Sequence, residues 1–198
     1  MAASAHRQTA FVLERRLLSL HEFDLMKEAG IFTEDDRIEL LDGELLAMRA
    51  ASGRHSGCIV RCDRQLQRGV DPILLVSVQN PLRIGGRTEF VPDLIVYRGD
   101  EMSNDIPLAE QVLVVIEVAD SSRNYDRAIK AARYAGAGIP ELILVDLVDD
   151  RMIGYSEPRM DGYRRTLVAG RGERLPSAIL PGFVFDVDTI LGVATSER

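Results

Sequence analysis

The sequence predicts an α/β chain in which a mixed sheet is flanked by helices, and three observations carry that prediction. The run Val112 to Val118 is apolar throughout except for Glu117, as in a strand buried on both faces in the middle of a sheet. An Ala-rich helical stretch, Arg123 to Ala137, follows it. Glu141 to Leu147 is a second apolar run, and strand, helix and strand at this spacing imply a crossover with parallel pairing.

In chain order, residues 1 to 20 form an Ala-, Ser- and Arg-rich arm with a short helical pattern at Phe11 to Leu20. His21 to Ala29 reads as a short helix stopped by Gly30. Residues 1 to 30 are therefore set apart as an N-terminal arm with short helices, and 31 to 198 as a single domain. Ile38 to Met48 alternates apolar and polar residues around Asp42-Gly43, a hairpin signal. Arg54 to Gln67 has apolar positions at helical spacing (Cys58, Ile59, Cys62, Leu66) and ends at Gly69.

Ile73 to Val78 is a β-branched and Leu-rich strand, and Pro81 to Ile84 a shorter one. Gly85 and Gly86 break the chain ahead of Phe90 and the Val91-Pro92-Asp93 approach to the strand Leu94 to Tyr97. Pro92 is tolerated there because a strand's first residue need not donate to the ladder. Gly99 to Pro107 is a charged loop. Asp120 or Ser121 can cap the helix after Val118, and Gly136 and Gly138 end it before Pro140. Arg151 to Ser156 and Gly162 to Val168 read as antiparallel additions at an edge. The tail, Leu175 to Leu191, wraps the sheet and closes with a short helix.

Composition narrows the function classes. With 198 residues, 46% of them hydrophobic and 28% charged, the chain can bury a core of its own. No apolar run approaches the roughly 20 residues that cross a bilayer, and the N-terminus lacks the pattern of a secretory signal. A soluble, cytoplasmic protein with no membrane partner is the expectation. Cys58 and Cys62 stand one helical turn apart with no further Cys to complete a zinc set, and read as reduced thiols. A net charge of −7 argues against a sequence-independent DNA binder, whose affinity comes largely from Lys and Arg neutralising phosphates. Arginines nevertheless cluster locally: Arg54, Arg61, Arg64 and Arg68; Arg123, Arg127 and Arg133 around Lys130; and Arg164, Arg165, Arg171 and Arg174.

Two apolar runs each carry one carboxylate. Asp93 follows Pro92 ahead of Leu94 to Tyr97, and Glu117 lies near the end of Val112 to Val118. If these strands are neighbours, their acids come within reach of one divalent cation. A hard ion such as Mg²⁺ takes oxygen ligands and keeps several waters, so two protein carboxylates suffice. Asp126, Lys130 and Tyr134 are spaced four apart on the helix that follows, which brings Lys130 toward the same place.

Each residue also has a plainer reading. Asp93 can terminate a turn, Lys130 can pair with Asp126 across one helical turn, His55 can be a capping or surface group, Glu39 a solvated strand residue, and Tyr134 core packing. Glu117 is the hardest to read plainly, since a carboxylate in so apolar a run is costly unless paired or metal-bound.

From Ile38 to Leu191 the order ELLDGEL, a helix opening with His55, VPDLIVYR, VVIEVADSS and YDRAIKAARYAGAGIPELILVD resembles the Uma-type (Uma-two) family of putative restriction endonucleases, a branch of the PD-(D/E)XK nuclease superfamily. The resemblance implies a restriction-endonuclease-like core and Mg²⁺- or Mn²⁺-dependent hydrolysis of phosphodiester bonds in nucleic acid, DNA foremost, by a homodimer. Position by position it implies that Asp93 and Glu117 are the paired acids and metal ligands, with the Val118 carbonyl as a third. Lys130 becomes the catalytic lysine, and His55 and Glu39 match recurrent polar positions upstream. The superfamily's usual lysine, two residues after the second acid, falls here on Ala119, so Lys130 must substitute for it. Leu142 and Ile143 stand where relatives place an aromatic pair, a departure that concerns packing. Two other classes stay open: a nuclease-fold module without catalysis that binds DNA or a protein, and a hydrolase acting on another phosphoester.

Overall fold

The structure is a computed structural model that describes residues 15–33, 36–48, 52–120 and 129–193. Ser121, Arg123, Asp126 and Arg127, with the first half of the expected crossover helix and residues 1–14 of the arm, lie outside the described residues. Among the described residues no helix is long and apolar enough to cross a membrane.

Helix α1 (Leu20–Glu28) opens with a capping box in which the Glu22 N–H donates to Ser19 Oγ and the Ser19 N–H donates to the Glu22 carboxylate. The helix expected over Phe11 to Leu20 does not run through residues 15–19. The Leu18 N–H is committed to the Gly43 carbonyl, and Ser19 takes the extended conformation of an N-cap. Strands β1 (Ile38–Leu41) and β2 (Glu44–Ala47) form the expected hairpin, with φ of 51° at Asp42 and 90° at Gly43. A Cβ on Gly43 would meet Leu17 Cβ and Leu18 O at 2.7 Å, so the turn requires glycine on two counts.

Helix α2 (Gly53–Gly69) buries Cys58, Ile59, Cys62 and Leu66 along one stripe, and both thiols are free. Then come β3 (Leu75–Val78), β4 (Leu82–Ile84), β5 (Thr88–Phe90), β6 (Leu94–Tyr97) and β7 (Val112–Ala119). β5 is a strand that the sequence pattern does not announce; it lies between β1 and β4 in a four-stranded sheet of order β2-β1-β5-β4. Helix α3 (Ala131–Gly136) follows a wider π-type turn at Ile129 and Lys130 and leads into β8 (Glu141–Asp146), β9 (Arg151–Arg159) and β10 (Gly162–Gly170). The larger sheet has the order β10-β9-β8-β7-β6-β3, with β7 and β8 parallel and the other pairs antiparallel. A ribbon of β11 (Arg174–Pro176) and β12 (Val184–Asp186) and the short α4 (Val187–Leu191) complete the described chain.

Both faces of the larger sheet are covered, as the run in β7 requires. On one side Leu94, Val96, Val114, Ile116, Ile143 and Val145 pack against α2, α4 and the β11–β12 ribbon. On the other Ile95, Val115 and Leu142 meet Phe90, Tyr134 and Ile139. Each fully buried side chain of this kind contributes about 1.5–3 kcal/mol. The central strands are therefore a rigid support for whatever their ends carry.

Candidate active site

The acids are placed by strand register. Leu94 of β6 lies opposite Ile116 of β7, which sets Asp93 beside Glu117. Both carboxylates are buried, and both are held. Asp93 Oδ2 accepts from the Val118 N–H at 2.8 Å and lies 3.1 Å from His55 Nε2. Glu117 Oε1 accepts from Tyr134 OH at 2.6 Å and from Lys130 Nζ at 3.2 Å.

Lys130 comes from the N-terminal end of α3 and is 1% exposed. Its ammonium bridges two elements far apart in sequence, donating also to Glu39 Oε1 of β1 at 2.9 Å, and it lies 5.2 Å from the centroid of the Phe90 ring. Glu39 is equally buried. Its Oε1 takes a further bond from the Val91 N–H at 2.8 Å, which pins the link between β5 and β6 just ahead of Pro92 and Asp93. Among the described residues Glu39 Oε2 and His55 Nδ1 are buried without a hydrogen-bond partner.

His55 sits in the first turn of α2, whose N-cap Ser52 accepts from the His55 N–H and donates to Asp120 at 2.6 Å. The hydrogen bond to Asp93 raises the imidazole pKa above its ordinary 6.5, against the opposing effect of burial. Among the described residues the site thus gathers three carboxylates, one ammonium and an imidazole that protonates more readily than usual.

The structure brings Glu39, His55, Asp93, Glu117 and Lys130 to one place, and Val118 is there through its main chain. Tyr134 is more than packing. It stacks edge-on against Phe90, at 5.5 Å between centroids, and also fixes Glu117. Its spacing of four from Lys130 was the available signal, since residues so spaced share a helix face. Ala119 is packed against Leu144 and Ile153, so the ammonium beside Glu117 comes from α3 instead. Leu142 and Ile143 are both core residues. Several arginines of the clusters serve structure. Arg54 pairs with Asp150, Arg61 donates to the Ile190 and Leu191 carbonyls at the end of α4, and Arg133 pairs with Asp42.

Fold and cluster together define the class: a restriction-endonuclease-like mixed sheet flanked by helices, with acids at the ends of two adjacent strands. The chain is similar to a solved structure from Anabaena variabilis ATCC 29413 described as a putative nuclease belonging to DUF820, at a TM-score of 0.64 and 16% identity over 88% of this chain and 97% of that one. That likeness is one of fold. Residues 20–188 match the Uma2 family, described as "Putative restriction endonuclease", and the protein belongs to that family. A search of the curated proteins finds no match.

Proposed function

We propose that the protein is a metal-dependent endonuclease that hydrolyses phosphodiester bonds of nucleic acid, DNA foremost, and that Asp93, Glu117, Lys130, His55 and Glu39 are its working residues. The observation that carries this reading is the convergence of three buried carboxylates, Glu39, Asp93 and Glu117, in which one oxygen, Glu39 Oε2, is buried without a partner among the described residues. A buried acceptor left without a partner is costly, and a divalent cation or a water it carries would remove that cost.

The donor set suits Mg²⁺ or Mn²⁺, which prefer carboxylate, carbonyl and water oxygens. Among the described residues no three His, Cys, Asp or Glu side chains form a ready cage, so the ion would rest on Asp93, Glu117, the Val118 carbonyl and water. Bound there, it would supply Lewis acidity toward a phosphate oxygen and a water.

The chain's own residues supply the remainder. Lys130, locked between Glu39 and Glu117, is a fixed positive charge that offsets charge developing on the phosphoryl oxygens, an effect enlarged in a water-poor site. By the resemblance, Lys130 substitutes for the superfamily's lysine, whose position falls on Ala119. His55 is held at Nε2 by Asp93, which leaves Nδ1 to contact the phosphate or pass a proton. Glu39 orients Lys130 and offers Oε2 to a second ion or a water. A homodimer would let two such sites cut both strands of a duplex.

Calorimetric titration with Mn²⁺ tests this reading. The wild type is expected to bind and Asp93→Asn not to bind. Lys130→Ala is then expected to slow plasmid cleavage by about 100- to 1000-fold, the order seen when a preorganised donor to a developing charge is removed. Binding without cleavage points to a nuclease-fold module, and no binding by a folded wild type overturns the metal-dependent reading.

A further inference from the structure

Gln79 adopts a φ of 51° in the short link between β3 and β4. The left-handed region is one that glycine enters freely and that Asn and Asp tolerate, whereas a longer side chain is strained there. Asp42, Asp150 and Glu157 also have positive φ: the two aspartates lie in turns, and Glu157 lies within β9. Among the four, Gln79 is the one set against Asp93.

What the conformation achieves is a two-point grip on Asp93. The Gln79 N–H donates to the Asp93 carbonyl at 3.0 Å, and Gln79 Nε2 donates to Asp93 Oδ1 at 3.4 Å, the outer limit of such a bond. Register explains the reach: Val78 lies opposite Leu94, which sets Gln79 opposite Asp93. The other carboxylate oxygen, Oδ2, is already held by the Val118 N–H and faces His55. A carboxylate held through one oxygen can still swing; held through both, its plane is set. If the turn alone mattered, glycine or asparagine would make it without strain.

We propose that Gln79 is a positioning residue of the site, whose strained backbone exists to hold the Asp93 carboxylate in the orientation a divalent cation needs. Strain kept at one residue and stabilised by the structure around it is characteristic of sites where geometry serves function. This inference rests on the metal-dependent reading of Asp93 and Glu117.

The test is Mn²⁺ calorimetry and thermal melting of the wild type, Gln79→Gly, Gln79→Asn and Asp93→Asn. Gln79→Gly is expected to melt at or above the wild-type temperature, because glycine takes this φ freely. It is also expected to bind Mn²⁺ about 10- to 100-fold more weakly, the range for losing a group that orients a metal ligand. Gln79→Asn, one methylene too short to reach Oδ1, is expected to lose affinity likewise. A residue that merely makes the turn would raise the melting temperature and leave affinity unchanged, and that result overturns the proposal. Binding that Asp93→Asn abolishes and both Gln79 variants retain overturns the role of Gln79 alone. Silence from the wild type overturns the metal-dependent reading together with this one.

Discussion

The four-stranded sheet carries two buried glutamates, and their surroundings differ in one respect. Glu89 on β5 accepts from Lys27 Nζ through Oε1 and from Arg83 Nε through Oε2, each at 2.9 Å. Asp24 in turn lies 2.6 Å from Arg83 and 3.1 Å from Lys27. Two carboxylates meet two cations, every Glu89 oxygen is used, and α1 is tied to the sheet. Glu39 on the neighbouring β1 shares one ammonium with Glu117, lies in a cluster that also holds Asp93, and keeps Oε2 without a partner among the described residues. A buried carboxylate with every oxygen matched explains itself as structure; Glu39, equally buried, keeps one oxygen unmatched among the described residues.

That contrast can be broken by experiment. Glu89→Gln leaves Lys27 and Arg83 without their shared carboxylate, and is expected to cost about 1–3 kcal/mol in urea unfolding. This is less than a fully buried pair would lose, because both cations are partly exposed. Mn²⁺ affinity should stay at the wild-type value. Glu39→Gln is expected to move the other way or not at all, between unchanged and about 1 kcal/mol more stable without metal. The amide keeps an acceptor for Lys130 and Val91 while removing a buried charge, and Lys130 keeps Glu117. Equal destabilisation by the two substitutions would show that the unmatched Glu39 oxygen has no energetic meaning.

The smallest effect concerns pH. Asp93 raises the pKa of His55, so the stabilisation from this pair is complete below the ordinary value of 6.5 and fades as pH rises through the raised one. An NMR titration should place the His55 midpoint above 6.5 in the wild type and lower in Asp93→Asn. An unchanged midpoint in the variant would remove Asp93 as the cause.

Much of the fold is legible wherever a local rule sufficed. The Asp42-Gly43 pair specifies a tight hairpin, the stripe of Cys58, Ile59, Cys62 and Leu66 specifies a helix buried on one side, and the unbroken run in β7 requires cover on both faces. Failures have equally local causes. The apolar residues of Phe11 to Leu20 suggest helix, but within 15–19 a backbone bond from Leu18 to the hairpin turn prevails. Three residues, Thr88 to Phe90, are too few for a period-2 pattern, so β5 is invisible until β1 and β4 flank it. Tyr134 packs like any buried aromatic, and only the proximity of Glu117 turns its hydroxyl into a specific donor.

The sequence by itself determined most of the strands and helices, the parallel pairing of β7 with β8, and one acid at the end of each of two apolar runs. Each of these is encoded within a few residues by periodicity, turn chemistry or the cost of a charge in an apolar run. The tertiary structure alone decided that Lys130 lies between Glu117 and Glu39, that the Val118 N–H and Gln79 hold Asp93, and that Arg54 and Arg61 brace the fold. Lys130 and Glu39 are 91 residues apart. No local pattern encodes a partner at that distance; packing two sheets and a helix around one cluster does.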